Sequence, residues 1–245
     1  MFALGDETCD SRRDEGGRLI IAIDGPSGAG KSTLAKRLAK ELGFIYVDTG
    51  AMYRALALKV LREGVDLADD ASMARLIGST TIDLRHVDGA LQVLLDGADV
   101  AAEIRTPQVS QMASKASALG AVRARLLELQ RDMARRGSIV AEGRDIGTVV
   151  FPQAEVKIFL QASAGERARR RFAELQGAGQ SVDLTETLRE IEERDKRDSE
   201  RDLAPLLQAD DALMIDSSSF DADQVTARVL AHIRTKTREN QIDRS

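Results

Sequence analysis

Apolar residues in this chain fall into two rhythms. Five short runs are almost wholly apolar, at 19–23, 44–48, 138–142, 156–160 and 212–216. Runs of that length without polar alternation mark strands buried on both faces, as in a parallel sheet. Elsewhere apolar positions recur every three or four residues. Leu34, Ala35, Leu38 and Leu42 predict a helix after the first run, and Ala55, Leu58 and Leu61 predict another from about 51 to 63. Asp69 or Asp70 is placed to cap a short helix to Ile77. Thr106-Pro107 starts the next, and Gly120 separates it from a longer helix at about 121–136 with Gly137 as C-cap. Further helices are predicted at 165–176 and 183–201, the second with a narrow stripe of Leu184, Leu188 and Ile191. Asp221 with Gln224 resembles a capping box for a last helix whose Val225, Val229 and Ile233 face inward.

The pattern changes once. Thr80 to Arg85 alternates, Asp88-Gly89 reads as a hairpin turn, Leu91 to Leu95 returns, and Asp96-Gly97 turns again before Asp99-Val100. This predicts a small antiparallel insert at about 80–105. The alternation of strand and helix elsewhere implies an α/β fold: a five-stranded parallel sheet with helices on both faces and right-handed crossovers. With no repeat or low-complexity linker, the expected plan is one domain over 18–235. Residues 1–17 read as a disordered leader or a mis-assigned start, and 236–245 as a flexible polar tail. Gly177-Ala178-Gly179 ahead of a charge-laced helix marks 177–201 as a helical lid.

Bulk properties narrow the function. The chain has 245 residues, 43% hydrophobic and 31% charged, with a net charge of −5. An acidic balance argues against nucleic-acid binding through the phosphate backbone, so arginines here are judged as local anion sites. The single Cys9 allows no disulfide framework and favours a reducing compartment; no run of about 18 apolar residues suggests a membrane span. The expected setting is cytoplasmic.

Chemistry concentrates after the first run. Gly25-Pro26-Ser27-Gly28-Ala29-Gly30-Lys31-Ser32-Thr33 contains the pattern G-x-x-x-x-G-K-[ST] between a strand and a helix. The glycines let backbone N–H groups close around an anion. Lys31 offers a mobile ammonium to the outer phosphates, Ser32 a hydroxyl to Mg²⁺, and the following helix an N-terminus that favours phosphate. This points to a bound nucleoside triphosphate such as ATP. Ligands of open α/β sheets lie at the carboxyl ends of strands, and Asp24, Asp48-Thr49, Gly143-Arg144-Asp145 and Asp216 stand at four of them. Arg54, Arg144, Arg194, Arg197 and Arg201 are placed to converge there, whereas Arg167, Arg169, Arg170 and Arg171 fit a solvated helix face equally well. A GTPase would need a guanine-reading Asn-Lys-x-Asp, which is absent. A small kinase remains, because phosphoryl transfer asks mainly for charge neutralisation and alignment. Neither His86 nor His232 falls in a ligand-spacing pattern.

Five segments carry a family resemblance: Gly25 to Thr33, Asp48-Thr49-Gly50-Ala51-Met52-Tyr53-Arg54, Glu103-Ile104-Arg105-Thr106, Glu142-Gly143-Arg144-Asp145-Ile146-Gly147-Thr148-Val149-Val150-Phe151-Pro152, and Arg194 to Arg201. Together they resemble bacterial cytidylate kinases, within the nucleoside monophosphate kinases, over about 18–235. The resemblance implies a P-loop NTPase fold with an enlarged monophosphate-binding insert and a lid, transferring phosphate from ATP to CMP or dCMP with Mg²⁺. By position it implies that Lys31, Arg144, Arg194 and Arg201 act in catalysis. It places Arg54, Arg144 and Arg201 on the acceptor phosphate, Ser114, Arg123 and Asp145 on cytosine, and Arg194 and Asp198 on the sugar. Asp48 and Thr49 belong to the CMP side, with Asp48 able to hold Mg²⁺ through water, and Arg170 to the ATP phosphates. Thr49 stands where many relatives carry Ser, so the hydroxyl is kept. The residue chemistry agrees for the base: a carboxylate accepts from cytosine N4, and guanidinium and hydroxyl groups donate to N3 and O2. The expected partners are small nucleotides, the expected state a monomer, with no nucleic-acid or membrane partner. A non-catalytic nucleotide sensor, or a kinase for another acceptor such as shikimate or AMP, is the alternative.

Overall fold

The computed structural model describes residues 18–87, 90–177 and 179–242. Five strands form one parallel sheet: β1 (Ile20–Asp24), β2 (Ile45–Asp48), β6 (Ile139–Gly143), β7 (Val156–Gln161) and β8 (Leu213–Asp216), in the order β2-β6-β1-β7-β8. The five strands foreseen are all present, shifted by a residue at some ends. Central β1 pairs with β6 through Ile20↔Ile139 to Asp24↔Gly143, and with β7 through Ile21↔Val156 to Asp24↔Phe159. That register brings Asp24, Gly143 and Phe159 level at the carboxyl edge.

Side chains alternate across the sheet. Ile21, Ile23, Val140, Ile158 and Leu160 enter one core with α1 (Lys31–Leu42) and α8 (Ala222–Ile242). Ala22, Val47, Ile139 and Ala141 enter the other. That side is covered by α2 (Thr49–Glu63), α3 (Asp70–Ser79), α4 (Pro107–Ala116), α5 (Gly120–Ala134) and the three-stranded antiparallel insert β3 (Ile82–Val87), β4 (Ala90–Leu95) and β5 (Ala98–Asp99). Leu38, Met52, Leu56 and Leu126 are essentially sealed from solvent, and each contributes roughly 1.5–3 kcal/mol by burial. Two further helices, α6 (Ala164–Gly177) and α7 (Leu184–Glu200), lie between β7 and β8.

Local chemistry sets the helix ends. Asp48 caps α2 by accepting from the Ala51 N–H at 2.8 Å, so α2 starts two residues before the expected Ala51. Asp69 caps α3 through Ser72 and Thr106 caps α4 through Val109, with Pro107 in the first turn. Asp221 and Gln224 exchange reciprocal hydrogen bonds of 3.2 and 2.8 Å. Two glycine expectations are corrected. Gly120 is the first residue of α5, where Leu203 packs 3.6 Å from the position a Cβ would take. Gly137 is not the C-cap, since α5 ends at Ala134 with Arg135 in right-handed helical geometry. Helix α8 continues past the expected stop near 235 to Ile242. The leader 1–17 with Cys9, the Asp88-Gly89 turn and Ala178 lie outside the described residues.

Gly25 is fixed by packing as well as conformation. Its φ is +144°, and a Cβ there would lie 1.9 Å from the Leu160 carbonyl oxygen of β7. Gly25→Ala should therefore cost at least about 2 kcal/mol, a drop in Tm of roughly 4–8 °C for a chain of this size. A thermal melt that matches wild type would refute the constraint.

Candidate active site

Helix α1 begins without a cap. Gly30 takes a left-handed conformation, no side chain caps the helix, and no acidic residue stands in its first turn. Its leading N–H groups are therefore left for an anion. Lys31 is buried and folds back to donate to the Pro26 carbonyl at 2.7 Å. Burial, then the neighbouring Arg144, pushes its pKa down to about 7. The Ser32 hydroxyl is open to solvent and donates to Glu142 Oε2 at 3.0 Å, while Thr33 is exposed one residue on.

Glu142, on β6 beside β1, is a residue the motif reading passed over as the end of a strand. Its carboxylate takes Ser32 on one oxygen and the Tyr46 phenol on the other. Its backbone carbonyl takes the Thr49 hydroxyl at 2.6 Å. Burial, reinforced by Asp48, raises the Glu142 pKa. Burial and Glu142 raise that of Tyr46, keeping the phenol a donor. The carboxyl end of the strand next to β1 is the signal that could have found Glu142.

Beyond β6 the chain turns through Arg144 and Asp145 into one π-helical turn, Ile146–Val150. A Cβ on Gly143 would lie 2.7 Å from Thr49 Oγ1 and 2.6 Å from Ile146 Cδ1, so nothing larger than glycine fits at the bend. Buried Asp145 pairs with Arg123 of α5 through Oδ2 and with Arg201, 3.5 Å away, through Oδ1. Arg123 and Arg201 also converge on Ser117, and the carbonyl of Ser114 accepts from the Ser117 hydroxyl at 2.8 Å. The Ser114 hydroxyl is buried without a partner.

Arginines crowd the opposite wall. Arg144 Nε donates to Asp198 at 2.8 Å, Arg194 stands 3.9 Å from the same carboxylate, and Arg54 pairs with Asp48 at 3.1 Å. Burial works against the Asp198 charge, but Arg144, Arg194 and Arg201 outweigh it and hold its pKa below the usual range. Burial, then repulsion from Arg144, lowers the Arg194 pKa to about 10. Cations crowded at such cost are arranged for an anion larger than the carboxylates beside them.

Helix α6 divides its arginines. Arg169 and Arg171 form exposed pairs within the helix, the solvated face considered above. Arg170 is held by Glu166 and by Ser217, whose hydroxyl donates to the Ala29 carbonyl of the glycine loop. Arg167, for which a solvated face was an equal expectation, is instead buried; it donates to the Ser27 carbonyl at 3.2 Å and to Asp195 of α7 at 2.6 Å. Its place on the buried stripe with Ala168 and Leu175 was readable from helical spacing.

For Mg²⁺ the donor set fits. Ser32 and Glu142 offer a hydroxyl and a carboxylate, oxygen donors only, beside the glycine loop, and Mg²⁺ in nucleotide sites takes one or two carboxylates with substrate phosphates. Among the described residues no group of three or more His, Cys, Asp or Glu side chains gathers as a cage. None of the described helices is long and apolar enough to cross a membrane.

A parallel sheet with a glycine-rich phosphate loop after its central strand, faced by half-buried arginines from α2, the turn after β6 and α7, defines a P-loop kinase of small acceptors. The chain belongs to the cytidylate kinase family, whose family model, described as "Cytidylate kinase", matches residues 21–235. It is 54% identical over 220 residues to a cytidylate kinase of Pelotomaculum thermopropionicum, covering 89% of this chain and 97% of that one. It is 52% identical over 213 residues to one of Syntrophotalea carbinolica, covering 87% and 91%.

The depressed Lys31 pKa has a measurable consequence. With its pKa held low, part of the free side chain is neutral at pH 8, and a bound triphosphate would restore its charge. Binding of metal-free ATP should then take up protons, read by calorimetry in two buffers of different ionisation enthalpy. Lys31→Met should abolish the uptake. Release of protons, or no exchange in wild type, would overturn the account.

Proposed function

We propose that this chain transfers the γ-phosphoryl group of ATP to the phosphate of CMP or dCMP, giving ADP and CDP or dCDP. The observation that carries the reading is the juxtaposition, within one family fold, of the glycine loop, a wall of three arginines (Arg54, Arg144 and Arg194) and the buried Asp145 with its two guanidinium partners. The loop Gly25–Thr33, with Arg170 behind it, holds the donor phosphates, and Lys31 follows the transferring group. Ser32 and Glu142 would hold Mg²⁺, which would supply positive charge to offset that of the donor phosphates. Asp48, near enough to raise the Glu142 pKa, would act on the ion through water.

On the acceptor side Arg54, Arg144 and Arg201 take the CMP phosphate in exchange for their carboxylate partners. Arg194 and Asp198 face the sugar, and Arg144, Arg194 and Arg201 neutralise charge as phosphorus moves between oxygens. Asp145 accepts from cytosine N4 while Arg123 and Ser114 donate to N3 and O2. The partnerless Ser114 hydroxyl supports this, as a buried donor awaiting an acceptor. Thr49 fixes the bend behind Asp145 through the Glu142 carbonyl. The segment 177–201, which carries α7, moves as a lid that excludes water. The reading includes action as a monomer in the cytoplasm, where both nucleotides are supplied.

Arg54→Ala, Arg144→Ala and Arg201→Ala should each weaken CMP binding at least tenfold and ATP binding far less, by titration calorimetry with each nucleotide. Equal losses would move these arginines to the donor side. A turnover panel of CMP, dCMP, UMP and AMP tests the reaction itself, and wild type should favour the cytidine nucleotides. Asp145→Ala should lower the CMP-to-UMP ratio of kcat/KM at least tenfold. CMP loses a charge-assisted hydrogen bond worth roughly 1.5–3 kcal/mol, and UMP escapes an acceptor facing its O4. Equal loss on both substrates would reduce Asp145 to an anchor for Arg123 and Arg201.

A further inference from the structure

The segment that presents Arg144 and Asp145 leaves the sheet at Gly143 and gains no strand partner afterwards. Side chains from three other elements hold its backbone instead. Arg131 of α5 donates to the carbonyls of Val149 and Val150, each at 3.1 Å. Lys157 of β7 donates to the Pro152 carbonyl at 2.7 Å and to Asp211 at 2.9 Å. Asp24 of β1 accepts from the N–H of Ile146 at 2.8 Å and of Gly147 at 2.7 Å.

Asp24 differs from the other two in where it grips. The Ile146 N–H belongs to the peptide that leaves Asp145, so the Asp24 carboxylate acts one bond from the Asp145 backbone. Asp24 also immediately precedes Gly25, so one residue joins the donor loop to the segment carrying Asp145. The fit is tight: a Cβ on Gly147 would lie 3.4 Å from Asp24 Oδ2 and 3.1 Å from Lys157 Cδ. The choice of a carboxylate is also specific. Two adjacent N–H groups need two acceptors, and an ionised Asp has no donor to misplace. The arrangement persists although only 5% of Asp24 is exposed and nearby Asp145 repels its charge.

We propose that Asp24 is the positioning residue for base selection: by holding the peptide after Asp145 to the end of β1, it aims the Asp145 carboxylate at the position that separates cytosine from uracil. The proposal rests on the CMP kinase reading above. Asparagine at this site has nearly the same volume but only one acceptor, and it turns an amide N–H₂ against the second backbone N–H. The peptide must rotate to relieve that contact, and Asp145 turns with it. Loss of general stability would lower turnover on every acceptor alike, whereas displacement of Asp145 changes the ratio between two bases of equal size.

The test measures kcat and KM for CMP, UMP and ATP on wild type, Asp24→Asn and Asp24→Ala. The second variant removes both acceptors without turning a donor against the backbone N–H groups, and decides the matter if Asp24→Asn fails to fold by circular dichroism. A folded variant should show the CMP-to-UMP ratio of kcat/KM reduced at least fivefold, through a raised KM for CMP, with KM for ATP within about twofold of wild type. A wild type that prefers CMP, with folded variants that keep its ratio, would overturn the proposal alone. So would a change confined to KM for ATP, which would make Asp24 a support of the donor loop. A wild type without preference for CMP over UMP would overturn the functional reading and this proposal with it.

Discussion

Like charges held close in a space with little water govern this structure. Burial first, and then repulsion among Lys31, Arg144 and Arg194, lowers the pKa of the first and the last. The fold tolerates this by giving most cations of the cleft a carboxylate: Asp48 for Arg54, Asp198 for Arg144 and Arg194, Asp145 for Arg123 and Arg201, Asp195 for Arg167. These acids hold the arginines in fixed positions in the cleft. Removing one acid would leave a buried guanidinium unpaired, which is more damaging than never having had the pair.

The sheet supplies the frame for that arrangement. Asp24, Asp48, Glu142, Arg144 and the glycine loop stand at or just beyond carboxyl strand ends, while Arg194 and Arg201 come from α7 and its C-terminal end. Asp24, Asp48 and Glu142 sit on three neighbouring strands, and their registers are fixed by continuous parallel pairing. Backbone hydrogen bonds thus set the spacing between the acids, and the mobile arginines adjust around them.

How far the sequence could be read depends on whether a feature is local. Strands buried on both faces are legible because each is a closed apolar run, and the glycine loop because its residues are consecutive. The caps Asp69, Thr106 and Asp221 were legible for the same reason. Gly120 and Gly137 were not, because glycine breaks or begins helices according to what packs on it, and Leu203 is distant in the chain. The residues of the cleft were named mainly through family resemblance, and the structure brings Lys31, Arg144, Asp145, Arg194, Asp198 and Arg201 to one place. Glu142 and Arg167 escaped because their roles are made by contacts across 110 and 140 positions, Ser32 with the first and Ser27 with the second. No periodicity encodes such a contact.

The strand order has a consequence for how the chain is made. Central β1 is the first strand synthesised, yet neither of its neighbours is next in sequence, and the Leu19–Ser138 contact that begins its pairing with β6 spans 119 residues. At roughly 5–20 residues per second on the ribosome, β1 waits about 6–24 s for that partner. During this interval the Ile20-Ile21-Ala22-Ile23 segment has no partner in its own sheet, and the glycine loop after it has no floor from β7. Such high contact order slows folding and leaves an apolar strand open to wrong pairing or to a chaperone. A nascent chain therefore has no phosphate cleft until most of its length is complete.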